Sequence, residues 1–214
     1  MSVRSWVYPV LLSVTAILGA VYAPKAAAEG DAARGKTLGY TCLGCHGIPN
    51  YKAVYPTYSV PKLAGQHPEY IVAALKAYKS GERGHATMHA HAVPLSEQDM
   101  QDVAAYLSGN AIKAVAGAAP AGEMPAAVAT CSACHGREGV GIMGMYPTLS
   151  GQHADYLEQT LTEYRKGGRR NGIMAPFAAQ LKEEDIKAVS EYYAKQKPSL
   201  LTVPRRKTVL SARD

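Results

Sequence analysis

Two stretches carry the residues best suited to chemistry: Cys42-Leu43-Gly44-Cys45-His46 and Cys131-Ser132-Ala133-Cys134-His135. A Cys-x-x-Cys-His run sets two thiols to add across the vinyl groups of one haem, while the adjacent imidazole binds the iron from one face. The two motifs use all four cysteines of the chain. The pattern therefore implies two covalently attached haem c groups, one on Cys42 and Cys45 and one on Cys131 and Cys134. His46 and His135 are their proximal iron ligands. Paired CxxC motifs also hold structural zinc, but here each is followed directly by His and a domain's length separates them. Thioredoxin-like redox chemistry would need a βαβ context that the chain lacks.

An iron that only exchanges electrons needs a sixth ligand from the protein, and a Met thioether favours the ferrous state. Met88 and Met174 follow their proximal histidines by roughly 40 residues and are the expected ligands, in loops able to fold over the far haem face. His85, His89 and His91 crowd Met88 and are rivals for that site, although none has a His counterpart in the second half. Met143 and Met145 have no counterpart in the first half and are read as packing. Met100, on a helix, is read as core. His67 and His153 suit capping or inter-domain packing, and Tyr78, Tyr164, Tyr106 and Tyr192 suit helix-face core.

Those ligands sit in a duplicated chain. At an offset of 86 residues, Pro61-Lys62-Leu63-Ala64-Gly65-Gln66-His67 aligns with Pro147-Thr148-Leu149-Ser150-Gly151-Gln152-His153. The register continues through Tyr70/Tyr156, Tyr78/Tyr164, Gly81/Gly167, Arg83/Arg169, Met88/Met174 and Tyr106/Tyr192. The haem motifs align only at an offset of 89, so the first half holds three extra residues, placed in the Tyr-rich loop from Tyr51 to Tyr58. One domain is repeated once. The boundaries read as a signal peptide over 1–28, a first domain over 29–110, an Ala/Gly/Pro-rich linker over 111–123 and a second domain over 124–197. A basic tail over 198–214, with Arg205-Arg206-Lys207, reads as solvated or as docking on an acidic partner or anionic lipid.

Each half reads as three helices, with no period-2 strand pattern, which makes the fold all-α. The first helix runs from the N-cap Asp31 into the Cys motif, and its counterpart begins near Pro125. The second follows His67 and stops at Gly81, matched by His153 to Gly167. The third opens at Ser96 with Asp99 three residues on, a capping box, and ends near Gly109; its partner spans Glu183 to Lys195.

The compartment follows from the first residues. Arg4 precedes an apolar run from Trp6 to Val21, and Ala26-Ala27-Ala28 offers a small-residue cleavage site. The run approaches the lower length limit for a bilayer span, so an uncleaved anchor is the alternative. Export to the bacterial periplasm suits thiol attachment of haem. The chain carries 23 Lys+Arg against 17 Asp+Glu, a formal charge of +6. The leader takes Arg4 and Lys25 with it and no acid, and four haem propionates would largely cancel the rest. A charge this modest and scattered argues against nucleic-acid binding.

On these marks the chain resembles the dihaem cytochromes c of the c4 type, made of two tandem class I cytochrome c domains, each a small helical fold around one covalently bound haem. Besides both motifs and the doubled Pro-x-Leu-x-Gly-Gln-His, the marks are Gly30-Asp31 and the Tyr-Lys/Arg-x-Gly stretches Tyr78 to Gly81 and Tyr164 to Gly167. The resemblance implies that the Pro61 and Pro147 carbonyls accept hydrogen bonds from the proximal imidazoles, with Pro56 a rival to Pro61. It also implies two domains facing across a pseudo-twofold with their propionate edges close. The function implied is a periplasmic electron shuttle between respiratory-chain components. Its donor would be a quinol-oxidising complex or dehydrogenase, its acceptor a terminal oxidase or reductase, and it would have no catalytic residues of its own. The alternatives are a haem-bearing dehydrogenase subunit, or a dihaem peroxidase or sulfur-compound oxidoreductase with one open haem.

Overall fold

Asp31 adopts an extended backbone, and its carboxylate accepts the Ala33 and Arg34 N–H groups at 2.8 and 3.1 Å, which starts helix α1 (Ala32–Leu38). In the computed structural model, residues 30–109 and 121–204 are described. The signal-peptide reading, most of the expected linker and the Arg205-Arg206-Lys207 cluster lie outside them. The first half continues with α2 (Leu43–His46), α3 (Pro68–Ser80), α4 (Ala86–Ala92) and α5 (Glu97–Ser108). The second half holds α6 (Val128–His135), α7 (Ala154–Lys166), α8 (Met174–Ala179) and α9 (Glu183–Lys195). Among the described residues there is no strand beyond three isolated bridges, and no helix is long and apolar enough to cross a membrane.

The expected capping box opens α5: the Ser96 hydroxyl accepts the Asp99 N–H while Asp99 accepts the Ser96 N–H. Helices α3 and α7 end at Gly81 and Gly167, both left-handed at φ 77° and 80°, a conformation that costs glycine nothing. Helix α1 lies so close to α5 that a Cβ on Gly35 would stand 1.8 Å from the Asp102 carbonyl oxygen. Arg34 clasps the same helix through Asp99 and the buried Asp102.

Three expectations about the elements change. The first helix is interrupted by a turn at 39–42, where the Cys42 N–H reaches the Gly39 carbonyl, and restarts as the single turn α2. Its counterpart begins at Val128 after a turn at Pro125, not at the proline itself. Met88 and Met174 lie on short helices, α4 and α8, rather than in loops. The physical reason is a local cap: His85 Nδ1 accepts the Met88 N–H at 3.2 Å, and Asn171 Oδ1 accepts the Met174 N–H at 2.9 Å. Each cap satisfies an orphan donor of a first turn.

The largest departure is at the end of the chain. Residues 198–204, read as the start of a solvated tail, instead run as a strap across both halves. Ser199 and Leu200 donate to the Ser150 carbonyl, Leu201 pairs with Ala64 in both directions at 2.9 and 3.0 Å, and the Val203 N–H donates to the His46 carbonyl at 3.1 Å. Leu200 and Val203 are fully buried. Removing residues 198–214 takes away the buried Leu200 and Val203, and at about 1.5–3 kcal/mol per fully buried aliphatic side chain it should cost about 3–6 kcal/mol in urea denaturation. A loss below about 1 kcal/mol would show that the strap is passive.

Candidate functional site

His46 ends α2 and His135 ends α6, and both imidazoles are buried. His46 Nδ1 donates to the Pro61 carbonyl at 2.8 Å, and His135 Nδ1 donates to the Pro147 carbonyl at 2.9 Å. Pro61, not Pro56, therefore lies against His46. With Nδ1 acting as donor, Nε2 keeps its lone pair, which is the form of imidazole that binds a metal. Burial pushes His46 down to about 4, only partly opposed by the Pro61 carbonyl, with His85, Arg83 and His91 adding to the fall. Burial lowers His135 in the same way. Both rings are thus neutral at pH 7.

All four motif thiols are free and half-buried. Burial raises the Cys42 and Cys131 thiols, so neither is an activated thiolate. Cys42, Cys45 and His46 open into a mostly apolar cavity of about 470 Å³ that is also lined by Met88, His91 and Arg83. That volume lies within the roughly 300–1,000 Å³ typical of cofactor pockets. Thiols, a lone-pair imidazole and a thioether around an apolar slot fit a haem.

The crowding around Met88 resolves into separate jobs. His85 caps α4, and His89 Nδ1 donates to the Tyr78 carbonyl at 2.8 Å, tying α4 to α3. His91 lines the cavity beside Met88. Met100 is buried in the first core. Met143 and Met145, expected to pack, are 55% and 58% exposed.

The face between the halves, which the resemblance implies, is built largely by residues that residue-by-residue reading did not single out. Gln66 exchanges two hydrogen bonds with the backbone of Thr148, at 3.0 and 2.9 Å. Gln152 does the same with Lys62, at 3.0 and 3.0 Å. These four positions are equivalent pairs in the repeat, so the contact is a pseudo-twofold, self-complementary one. On the same axis Arg83 bridges Arg169, with the Gly84 N–H to the Gly168 carbonyl at 2.8 Å and the Arg170 N–H to the Glu82 carbonyl at 2.7 Å. His67 Nε2 crosses to the Gly141 carbonyl at 3.2 Å, which makes it an inter-domain contact. The inserted loop also crosses: Ser59 donates twice to Asp155, and Tyr58 packs against Tyr156. The signal was present as a faithful Gly-Gln-His repeat; what it lacked was any mark of which partner each Gln would face.

Two buried imidazoles, each tied to a proline carbonyl beside a pair of free thiols, define a helical c-type haem protein with two centres. Residues 32–111 and 121–197 each match the family model for cytochrome c. The chain is 40% identical over 166 residues to cytochrome c4 of Thiocapsa roseopersicina, covering 71% of this chain and 84% of that one. Its structure is similar to that of reduced recombinant cytochrome c4 from Pseudomonas stutzeri, with a TM-score of 0.60, 32% identity and coverage of 80% of this chain and 100% of that one. It is also 31% identical over 169 residues to a thiosulfate dehydrogenase electron acceptor of Stutzerimonas stutzeri, covering 72% and 77% of the two chains. The chain belongs to the cytochrome c4 family. It is a dihaem electron carrier built from two tandem cytochrome c domains, with two covalently attached haem c groups.

Proposed function

We propose that the chain is a periplasmic shuttle without an enzymatic reaction of its own, exported by a cleaved leader over residues 1–28. Cys42 and Cys45 hold one haem and Cys131 and Cys134 the other. His46 with Met88, and His135 with Met174, would hold the two irons. When bound, the haems supply one-electron chemistry. The protein's own task would be to close both irons to outside ligands, exclude water and hold each imidazole in one tautomer, through Pro61 and Pro147. The observation that carries this reading is the shared cavity: His46, with its Nε2 lone pair free, and the Met88 thioether line the same apolar space. Electrons would come from a quinol-oxidising complex or a dehydrogenase and leave to a terminal oxidase or reductase. The relative named as a thiosulfate dehydrogenase electron acceptor favours a sulfur-compound dehydrogenase as a second donor class. The test is the visible spectrum of the reduced, haem-loaded protein with carbon monoxide. An unchanged spectrum is expected for two closed irons; a shift in part of the haem would mark an open site and turn the reading toward an enzyme.

A further inference from the structure

Arg83 and Arg169 occupy the same place in the repeat and are both almost fully buried, at 7% and 3% exposure, yet their partners differ. Arg169 Nε donates to the Glu163 carboxylate. Arg83 Nε, the equivalent atom, is buried with no hydrogen-bond partner; Arg169 also keeps a buried orphan, at Nη1, but it holds a carboxylate. The cause is a single difference between the halves. Glu163 corresponds to Ala77, and the backbones agree there: the Arg169 N–H donates to the Glu163 carbonyl at 3.2 Å and the Arg83 N–H to the Ala77 carbonyl at 3.0 Å.

The side-chain partners of Arg83 are phenols. Its guanidinium donates to the Tyr156 hydroxyl at 2.7 Å and the Tyr70 hydroxyl at 3.3 Å, and stacks 4.5 Å over the Tyr78 ring. Burial alone would raise the Tyr156 phenol, but Arg83 and Arg169 together hold it below its ordinary value. Two guanidiniums thus crowd one phenol, Arg83 on its hydroxyl and Arg169 5.6 Å from its ring centroid. A buried guanidinium without a carboxylate is costly, and Arg83 also lines the first cavity. The cofactor that fits this cavity brings two carboxylates of its own.

We propose that Arg83 is the carboxylate-binding residue of the first cavity, taking a haem propionate as its counter-charge where Arg169 takes Glu163, and that this difference raises the potential of the first haem. The inference rests on the electron-carrier reading. One-electron reduction adds a negative charge at the iron, and a nearby cation that the protein leaves unneutralised favours it. In the second half Glu163 cancels that cation.

The test is redox titration of the haem-loaded chain with both midpoint potentials resolved. Arg83→Gln should lower one potential by about tenfold in the reduced-to-oxidised ratio, which is about 59 mV for a one-electron couple, and leave the other in place. Arg83→Lys, which keeps the charge, should restore most of the shift. Ala77→Glu supplies the missing carboxylate on a half-buried helix position and should lower the same potential, whereas Glu163→Gln should raise the other. If Arg83→Gln carries two haems and neither potential moves, the assignment is wrong. If Arg83→Gln does not mature, Ala77→Glu decides: unchanged potentials in that variant overturn the proposal. Carbon monoxide binding by the unaltered protein would sink the carrier reading while leaving the Arg83 assignment to stand on its potentials.

Discussion

Met88→Ala should make half of the haem in the reduced protein bind carbon monoxide, where the unaltered chain binds none. The thioether is the one Met side chain lining the described cavity with His46, and its removal leaves an iron with five ligands open to a small neutral molecule. Met174→Ala should open the other half, and the double variant should open all of it. His91→Ala separates the two candidate ligands of the first haem, because His91 lines the same cavity. A closed spectrum in His91→Ala with an open one in Met88→Ala assigns Met88; the reverse result assigns His91 and lowers the expected potential of that haem. The truncation itself is mild, because Met88 is only partly buried against the first core. Its stability cost should fall near the low end of the range for buried Met→Ala, about 2 kcal/mol, so an open spectrum would report a lost ligand rather than an unfolded domain.

Gln66→Met should uncouple the halves. The side chain is nearly isosteric, but Thr148, 3% exposed, loses the partners of both its backbone N–H and its carbonyl. At about 1–3 kcal/mol for each buried group left unpaired, the expected loss is about 2–6 kcal/mol. Most of it falls on the interface, with a smaller part on the first half, where Gln66 Oε1 also accepts the His67 N–H at 3.0 Å, so urea denaturation should change from one transition to two. Gln152→Met should do the same from the other side by stripping the Lys62 backbone. A single transition with less than about 1 kcal/mol lost would mean that the tyrosines and arginines on the axis hold the halves together without the glutamines.

These two predictions draw on different sources of information. The thiols and proximal histidines are legible in the residues because attachment chemistry is local: Cys-x-x-Cys-His is read within one or two turns of chain, and equivalence across the repeat is what makes Met88 and Met174 the candidates beside them. The duplication, the capping box at Ser96 and the helix stops at Gly81 and Gly167 were legible for the same reason. Each depends on neighbours within a few positions. The helical setting of Met88 was missed because its cap is a histidine, a residue read there as a rival ligand; Asn171 fills that role in the second half.

The interface was decided only by the tertiary structure. Gln66 meets Thr148 and Gln152 meets Lys62 across more than 80 residues of chain, and no local periodicity encodes which face turns inward. The strap over 198–204 was misread because it has no periodic pattern. It is held by backbone groups of both halves, Ser150 in one and Ala64 and His46 in the other, and Val203 packs into the first core. The Arg83 and Arg169 pair shows the division most sharply. Sequence alone determined that the two arginines are equivalent and that Glu163 stands opposite Ala77 in the repeat. Only the folded chain buried both guanidiniums on one axis, where burial turns a missing carboxylate from a surface detail into an uncompensated charge.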